Sequence, residues 1–161
     1  MRTKTCFLIL LSLSLSAYSQ NYWQQAVDYK MEVDIDVKTF KYSGKQELLY
    51  TNNSPDSLKK VFYHLYFNAF QPGSEMSERI KTGKDKNKRF RIDIDSLEPN
   101  EVGYLKVSNL KQDGNVLEHE LSETILEVLL SKTLMPGETT KLTLNFEGQV
   151  PKLVRRAGRN S

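Results

Sequence analysis

In 161 residues, 23 Lys and Arg stand against 20 Asp and Glu. That near balance gives bulk charge no reason to favour nucleic acid or an anionic membrane. A single cysteine leaves no disulfide framework to form within the chain.

The first nineteen residues read as an export signal. Arg2 and Lys4 supply a positive start, Cys6 to Leu15 an apolar stretch, and Ala17-Tyr18-Ser19 the small residues before a cut at Gln20. The stretch is shorter than the about 20 apolar residues a membrane-spanning helix needs. Cys6 lies too early to be the acylated cysteine of a lipoprotein. Cleavage removes that cysteine and two basic residues but no acids, so 21 basic residues face 20 acidic ones, a net charge of +1. The expected mature protein is secreted or periplasmic and keeps no membrane anchor. A domain over residues 20–150 is long enough to bury about 68% of its unfolded surface, as one without bridges must.

Along that domain, Val27, Tyr29, Met31, Val33, Ile35 and Val37 alternate with Asp28, Lys30, Glu32, Asp34, Asp36 and Lys38. Strand side chains alternate between faces, so the segment predicts a long strand with one apolar face and one charged face in water. Residues 39–44 read as a turn into a second strand, Lys45 to Thr51. The turn formers Asn52 to Ser57 follow. Val61 to Phe67 is apolar or aromatic at nearly every position, which predicts a central strand covered on both sides.

From Gln71 to Asn100 the periodicity stops. A loop this long is unusual in a compact domain, so part of it is expected either to form a short strand around Phe90 to Leu97 or to be disordered. Gly103 to Leu110 and Val116 to Ser122 then read as a hairpin about Asp113-Gly114. Thr124 to Leu130 and Lys141 to Phe146 complete the set on either side of Pro136-Gly137-Glu138. No useful helix signal occurs. Seven or eight strands predict an all-β fold, an antiparallel β-sandwich or a pair of saddle-like curved sheets.

Candidates for chemistry are few. His64 reads as a hydrogen-bonded sheet residue and His119 as an exposed strand residue; no H-E-x-x-H spacing exists for zinc. Asp34 with Asp36, and Asp93 with Asp95, place paired carboxylates on presumed strands, but neither pair has the glycine turn of a calcium loop. Lys81, Lys84, Lys86, Lys88, Arg89 and Arg91 form a basic run with Phe90 as its one aromatic, short of a stacking platform for nucleic acid. No catalytic, cofactor-binding or metal-binding residue is therefore assigned.

The order and spacing of the strands resemble a known segment. Val27 to Asp36 followed by Tyr42 to Leu48 is similar to the opening strand pair of the amino-terminal domain of aminopeptidase N-like zinc metallopeptidases. Ser57 to Tyr66 is similar to its next strand, and Phe67 to Ser74 to the loop of secreted bacterial members. Leu134 to Glu138 leading to Leu142 to Gly148 resembles its closing strands. The resemblance implies a non-catalytic domain, with residues 151–161 opening the next segment of a truncated chain. It also implies a catalytic domain in the same polypeptide, holding zinc and acting on peptide substrates. The alternative is a free-standing secreted β-sandwich that binds a surface ligand.

Overall fold

The computed structural model describes residues 22–83, 93–152 and 158–159. The export signal, the basic residues from Lys84 to Arg91 and the start of the strand expected at Phe90 lie outside the described residues. Among the described residues eight strands run β1 (Ala26–Asp36), β2 (Lys41–Thr51), β3 (Leu58–His64), β4 (Tyr104–Gln112), β5 (Asn115–Val116), β6 (His119–Ser122), β7 (Ile125–Leu134) and β8 (Thr139–Gln149). They form two antiparallel sheets, of five strands in the order β1-β2-β8-β4-β5 and of three in the order β3-β7-β6. The fold is all-β.

Leu48, Leu110, Leu142 and Leu144 from the larger sheet pack with Val61, Leu126 and Val128 from the smaller one. Alternation along each strand makes this possible, because every second residue turns inward. Burial of these aliphatic side chains, at about 25 cal/mol per Å² of apolar surface removed from water, is the main favourable term in the absence of a disulfide.

Several elements depart from the sequence expectation. The β1–β2 connection is a tight four-residue loop, and Tyr42, Ser43 and Gly44 already belong to β2. The Asp36 carboxylate explains it, accepting the Lys38 amide at 2.8 Å, the Thr39 amide at 3.3 Å and the Thr39 hydroxyl at 2.7 Å. Those bonds hold its carboxyl below its ordinary pKa, the Thr39 hydroxyl first among them.

Far from being central, β3 is an edge strand. Val61 is buried, but Phe62 is 57% exposed beside Lys60, whose ammonium lies 5.4 Å from its ring centroid. The aromatic run that suggested burial on both faces continues past the strand into a 3-10 turn, Tyr66–Phe70.

The segment expected as one returning strand is two. β5 pairs with β4 around Asp113 and Gly114, both at positive φ as a two-residue hairpin requires, whereas β6 pairs with β7 in the other sheet. Leu117, buried at 4% exposure, lies at the crossing. The Pro136-Gly137-Glu138 turn likewise carries the chain between sheets.

Residues 71–100 hold a helix that the periodicity missed, α1 (Glu75–Lys81). The Ser74 hydroxyl caps it by accepting the Ser77 amide at 3.2 Å, and Glu75 and Arg79 pair across one turn at 3.0 Å. In place of the expected strand, Ile94–Ser96 form a 3-10 turn. Ile94 and Leu97 make a second small core with Phe70, Met76, Ile80 and Val102.

Candidate functional site

Among the described residues the singled-out polar side chains do not gather into one site, although Asp95 pairs with Lys81. His64 ends β3, sits 3.0 Å from the Thr124 hydroxyl through Nε2 and stacks on Tyr66 with centroids 3.9 Å apart. His119 begins β6 with an exposed side chain. The registers place His64 opposite Ile125 and His119 opposite the fully buried Val128. Directly opposed residues share a face, and 125 and 128 differ by an odd number, so the histidines lie on opposite faces of one sheet.

The carboxylate pairs are committed in part to structure. Asp36 caps the first turn, while Asp34 stays open on β1. Asp93 accepts the Asp95 amide at 3.1 Å. Asp95 accepts the Ser77 hydroxyl at 2.6 Å and the Gly73 amide at 3.1 Å, and pairs with Lys81. With the Lys81 contact dominant and Ser77 second, its carboxyl is held down at about 2. Lys81 is thereby tied to α1's own neighbourhood. Among the described residues no cluster of three or more His, Cys, Asp or Glu is placed to hold a metal.

What the fold does present is an apolar sheet face only partly covered. On the inner face of the larger sheet the register sets Tyr29 beside Leu48 and Leu142, and Met31 beside Gln46 and Leu144. The next rows are Val33, Gly44, Phe146 and Val107, then Ile35, Tyr42, Gly148 and Leu105. The smaller sheet seals the β2 and β8 columns at Leu48, Leu142 and Leu144. Beyond them β1 is uncovered: Tyr29, Met31, Val33 and Ile35 are 57%, 49%, 48% and 65% exposed. Residues of one apolar face thus range from sealed to open within a single row.

Between β1 and β3 this face opens as a groove of about 470 Å³, lined by Tyr29 and Met31 on one side and by Phe62, Tyr63 and Tyr66 on the other. Two polar atoms buried in its wall, Gln46 Nε2 and the Tyr63 hydroxyl, make no hydrogen bond. Burial pushes the Tyr63 phenol's pKa up strongly. Buried donors without partners are uncommon and costly. The sequence signal for this site was the β1 alternation itself, which gives an apolar face but not what lies over it.

No protein-family model matches the chain, and no curated protein matches it. Among solved structures it is similar to an M1 zinc metallopeptidase from Deinococcus radiodurans, with 17% identity and a TM-score of 0.47 over 77% of this chain and 20% of that one. It is also similar to a mutant of a two-domain M1 zinc metallopeptidase bound to L-tryptophan, with 18% identity and a TM-score of 0.48 over 79% of this chain and 21% of that one. This chain spans about a fifth of the length of those structures.

Proposed function

We propose that residues 20–150 are the non-catalytic amino-terminal β domain of an exported zinc aminopeptidase-like metallopeptidase. The domain buttresses a catalytic domain of the same polypeptide and walls one side of its peptide-binding cleft. The observation that carries this reading is the uncovered apolar stripe of β1 with the adjoining groove. Monomers seldom leave a contiguous apolar surface of more than a few hundred Å² open to water. The order of strands quoted from the sequence supplies the family side of the argument.

In the complete protein the zinc-binding residues belong to the catalytic domain, and when bound there zinc supplies Lewis-acid activation of water and of the scissile carbonyl. The contribution of this chain is positional: a rigid wall and a docking face.

Two experiments test the proposal. The coding sequence that follows Ser161 is expected to encode H-E-x-x-H within a few hundred codons; an immediate natural stop, with a soluble product that binds a ligand, favours the free-standing module instead. Purified residues 20–161 supplied with zinc are expected to leave aminoacyl anilides intact. Hydrolysis would overturn the non-catalytic assignment.

A further inference from the structure

β1 closes one side of the larger sheet, and among the described residues only β2 pairs with it. Its register runs unbroken from Ala26 opposite Thr51 to Asp36 opposite Lys41. Exposed edges are usually blunted by proline, a bulge or an inward-pointing charge. Over eleven residues β1 has no proline, bulge or inward-pointing charge; its charged residues, Lys30 among them, lie on the outer face, and its inner face is apolar and half open to water.

The opposite face of β1 is charged, and unevenly. Asp28, Glu32, Asp34 and Asp36 stand against Lys30 alone. From β2, Lys45 lies opposite Glu32, Lys41 opposite Asp36 and Glu47 opposite Lys30. Asp28 faces Leu49 and Asp34 faces Ser43, so neither has a basic residue directly across the strand pair. Two carboxylates six residues apart thus have no base directly across from them, the nearest on β2 being Lys41 and Lys45, diagonal to Asp34.

We propose that the free edge of β1 takes an added strand from a partner segment that alternates apolar with basic side chains. Its backbone pairs with the β1 ladder, its apolar residues extend the Tyr29–Met31–Val33–Ile35 stripe, and its Lys or Arg residues fall beside Asp28 and Asp34. The inference rests on the reading that β1 is contacted by a further segment in the whole protein, and it names the chemistry of the segment along its edge.

A second copy of the chain is the competing occupant, because antiparallel self-pairing centred on Tyr29 sets Asp28 against Lys30 twice; that register leaves Asp34 opposite Gln24, outside β1, whereas a basic segment meets both Asp28 and Asp34.

The test titrates the isotope-labelled chain with a twelve-residue peptide of alternating valine and lysine. An alternating valine–glutamate peptide and a peptide with the same valines and lysines in two blocks serve as controls. Binding is expected for the alternating lysine peptide, with amide shifts and new exchange protection confined to Ala26–Asp36. The double variant Asp28→Lys, Asp34→Lys should bind it about tenfold more weakly and gain affinity for the glutamate peptide. Both substitutions sit on an exposed face, and an unchanged amide spectrum in the free variant verifies the fold. The proposal is overturned if no peptide binds, if the two charge types bind alike, or if the shifts centre on another strand. Sedimentation showing a dimer with β1 amides protected before any peptide is added would also overturn it, in favour of a second copy. The downstream coding sequence reads out separately, so a failed titration leaves the peptidase reading standing, and the absence of H-E-x-x-H leaves the strand-addition reading standing.

Discussion

The side-chain amide of Gln112 pairs with the backbone of Lys132 as a neighbouring strand would. Its Nε2 donates to the Lys132 carbonyl at 3.0 Å, and its Oε1 accepts the Lys132 amide at 2.9 Å. Gln112 is on β4 and Lys132 on β7, so one buried side chain joins the two sheets. The remaining capacity is used as well, with Nε2 donating to the Thr140 hydroxyl at 3.1 Å and Oε1 accepting the Ser131 hydroxyl at 2.9 Å.

Replacing Gln112 by Leu keeps the volume and removes all four bonds. The Lys132 amide and carbonyl then lose their partner at a partly buried position, a loss of about 1–3 kcal/mol for each group left unsatisfied. A net destabilisation of about 3 kcal/mol follows, or roughly 10 °C in Tm for a domain of this size. Thermal unfolding measures it; a melting point within about 2 °C of the parent would show that the amide pairing contributes little.

Two aromatic rings lie over glycines that face them across the strand pair of β2 and β8. Tyr42 covers Gly148, and Phe146 covers Gly44. A Cβ on Gly148 would meet the Tyr42 ring and stand 2.8 Å from the Tyr104 carbonyl oxygen; one on Gly44 would stand 2.6 Å from a Phe146 ring carbon and also meet the Glu32 carbonyl oxygen. Gly148→Ala is expected to cost about 2–3 kcal/mol through overpacking. Adding Tyr42→Ala should recover only part of that, because the Tyr104 carbonyl is backbone and cannot swing away. Urea unfolding of the single and double variants distinguishes the cases, and full recovery would place the whole clash in the ring.

The ion pair that fastens α1 sets a pH dependence. Asp95 is held at about 2, chiefly by Lys81 and next by Ser77, whereas an unfolded aspartate titrates at about 3.9. A depressed folded value means that the stabilisation is complete above about pH 4 and is lost as the pH falls toward 2. The protection factors of the Gly73 and Ser77 amides, measured relative to their intrinsic exchange rates, are therefore expected to fall over that interval in the parent. In Asp95→Asn the same amides should be looser at neutral pH and nearly indifferent to acid. Equal acid profiles for the two proteins would detach α1 from this carboxylate.

The strands were legible because two-residue periodicity is local, and β1, β2, β7 and β8 lie where that pattern sets them, to within a few residues. Which sheet a strand joins is not local. Val116 to Ser122 reads as one strand, yet the chain changes sheets at Leu117, a residue no different in kind from its alternating neighbours. The α1 helix spans seven residues, too few for a helical period to emerge, although Ser74 ahead of Glu75 and the Glu75–Arg79 spacing were signals of a capped start. The open face was half legible: alternation in β1 gave an apolar side, but its exposure depends on the smaller sheet being too narrow to reach it.

That narrowness yields the last prediction, which compares residues of one sheet face. Met31 and Leu144 share a row through Gln46, and Leu142 lies in the row of Tyr29; Met31 is 49% exposed and Leu142 1%. If β1's apolar side serves docking and not this chain's own core, Met31→Thr should change the unfolding free energy by no more than about 0.5 kcal/mol. Leu142→Ala, which opens a cavity, should cost about 2–5 kcal/mol. Met31→Thr with Ile35→Thr should also reduce binding of an apolar dye and raise solubility, since the stripe is what water meets. Chemical denaturation decides between the accounts. Should Met31→Thr destabilise the chain as Leu142→Ala does, the stripe belongs to the core of this domain, and the argument for a partner on β1 goes with it.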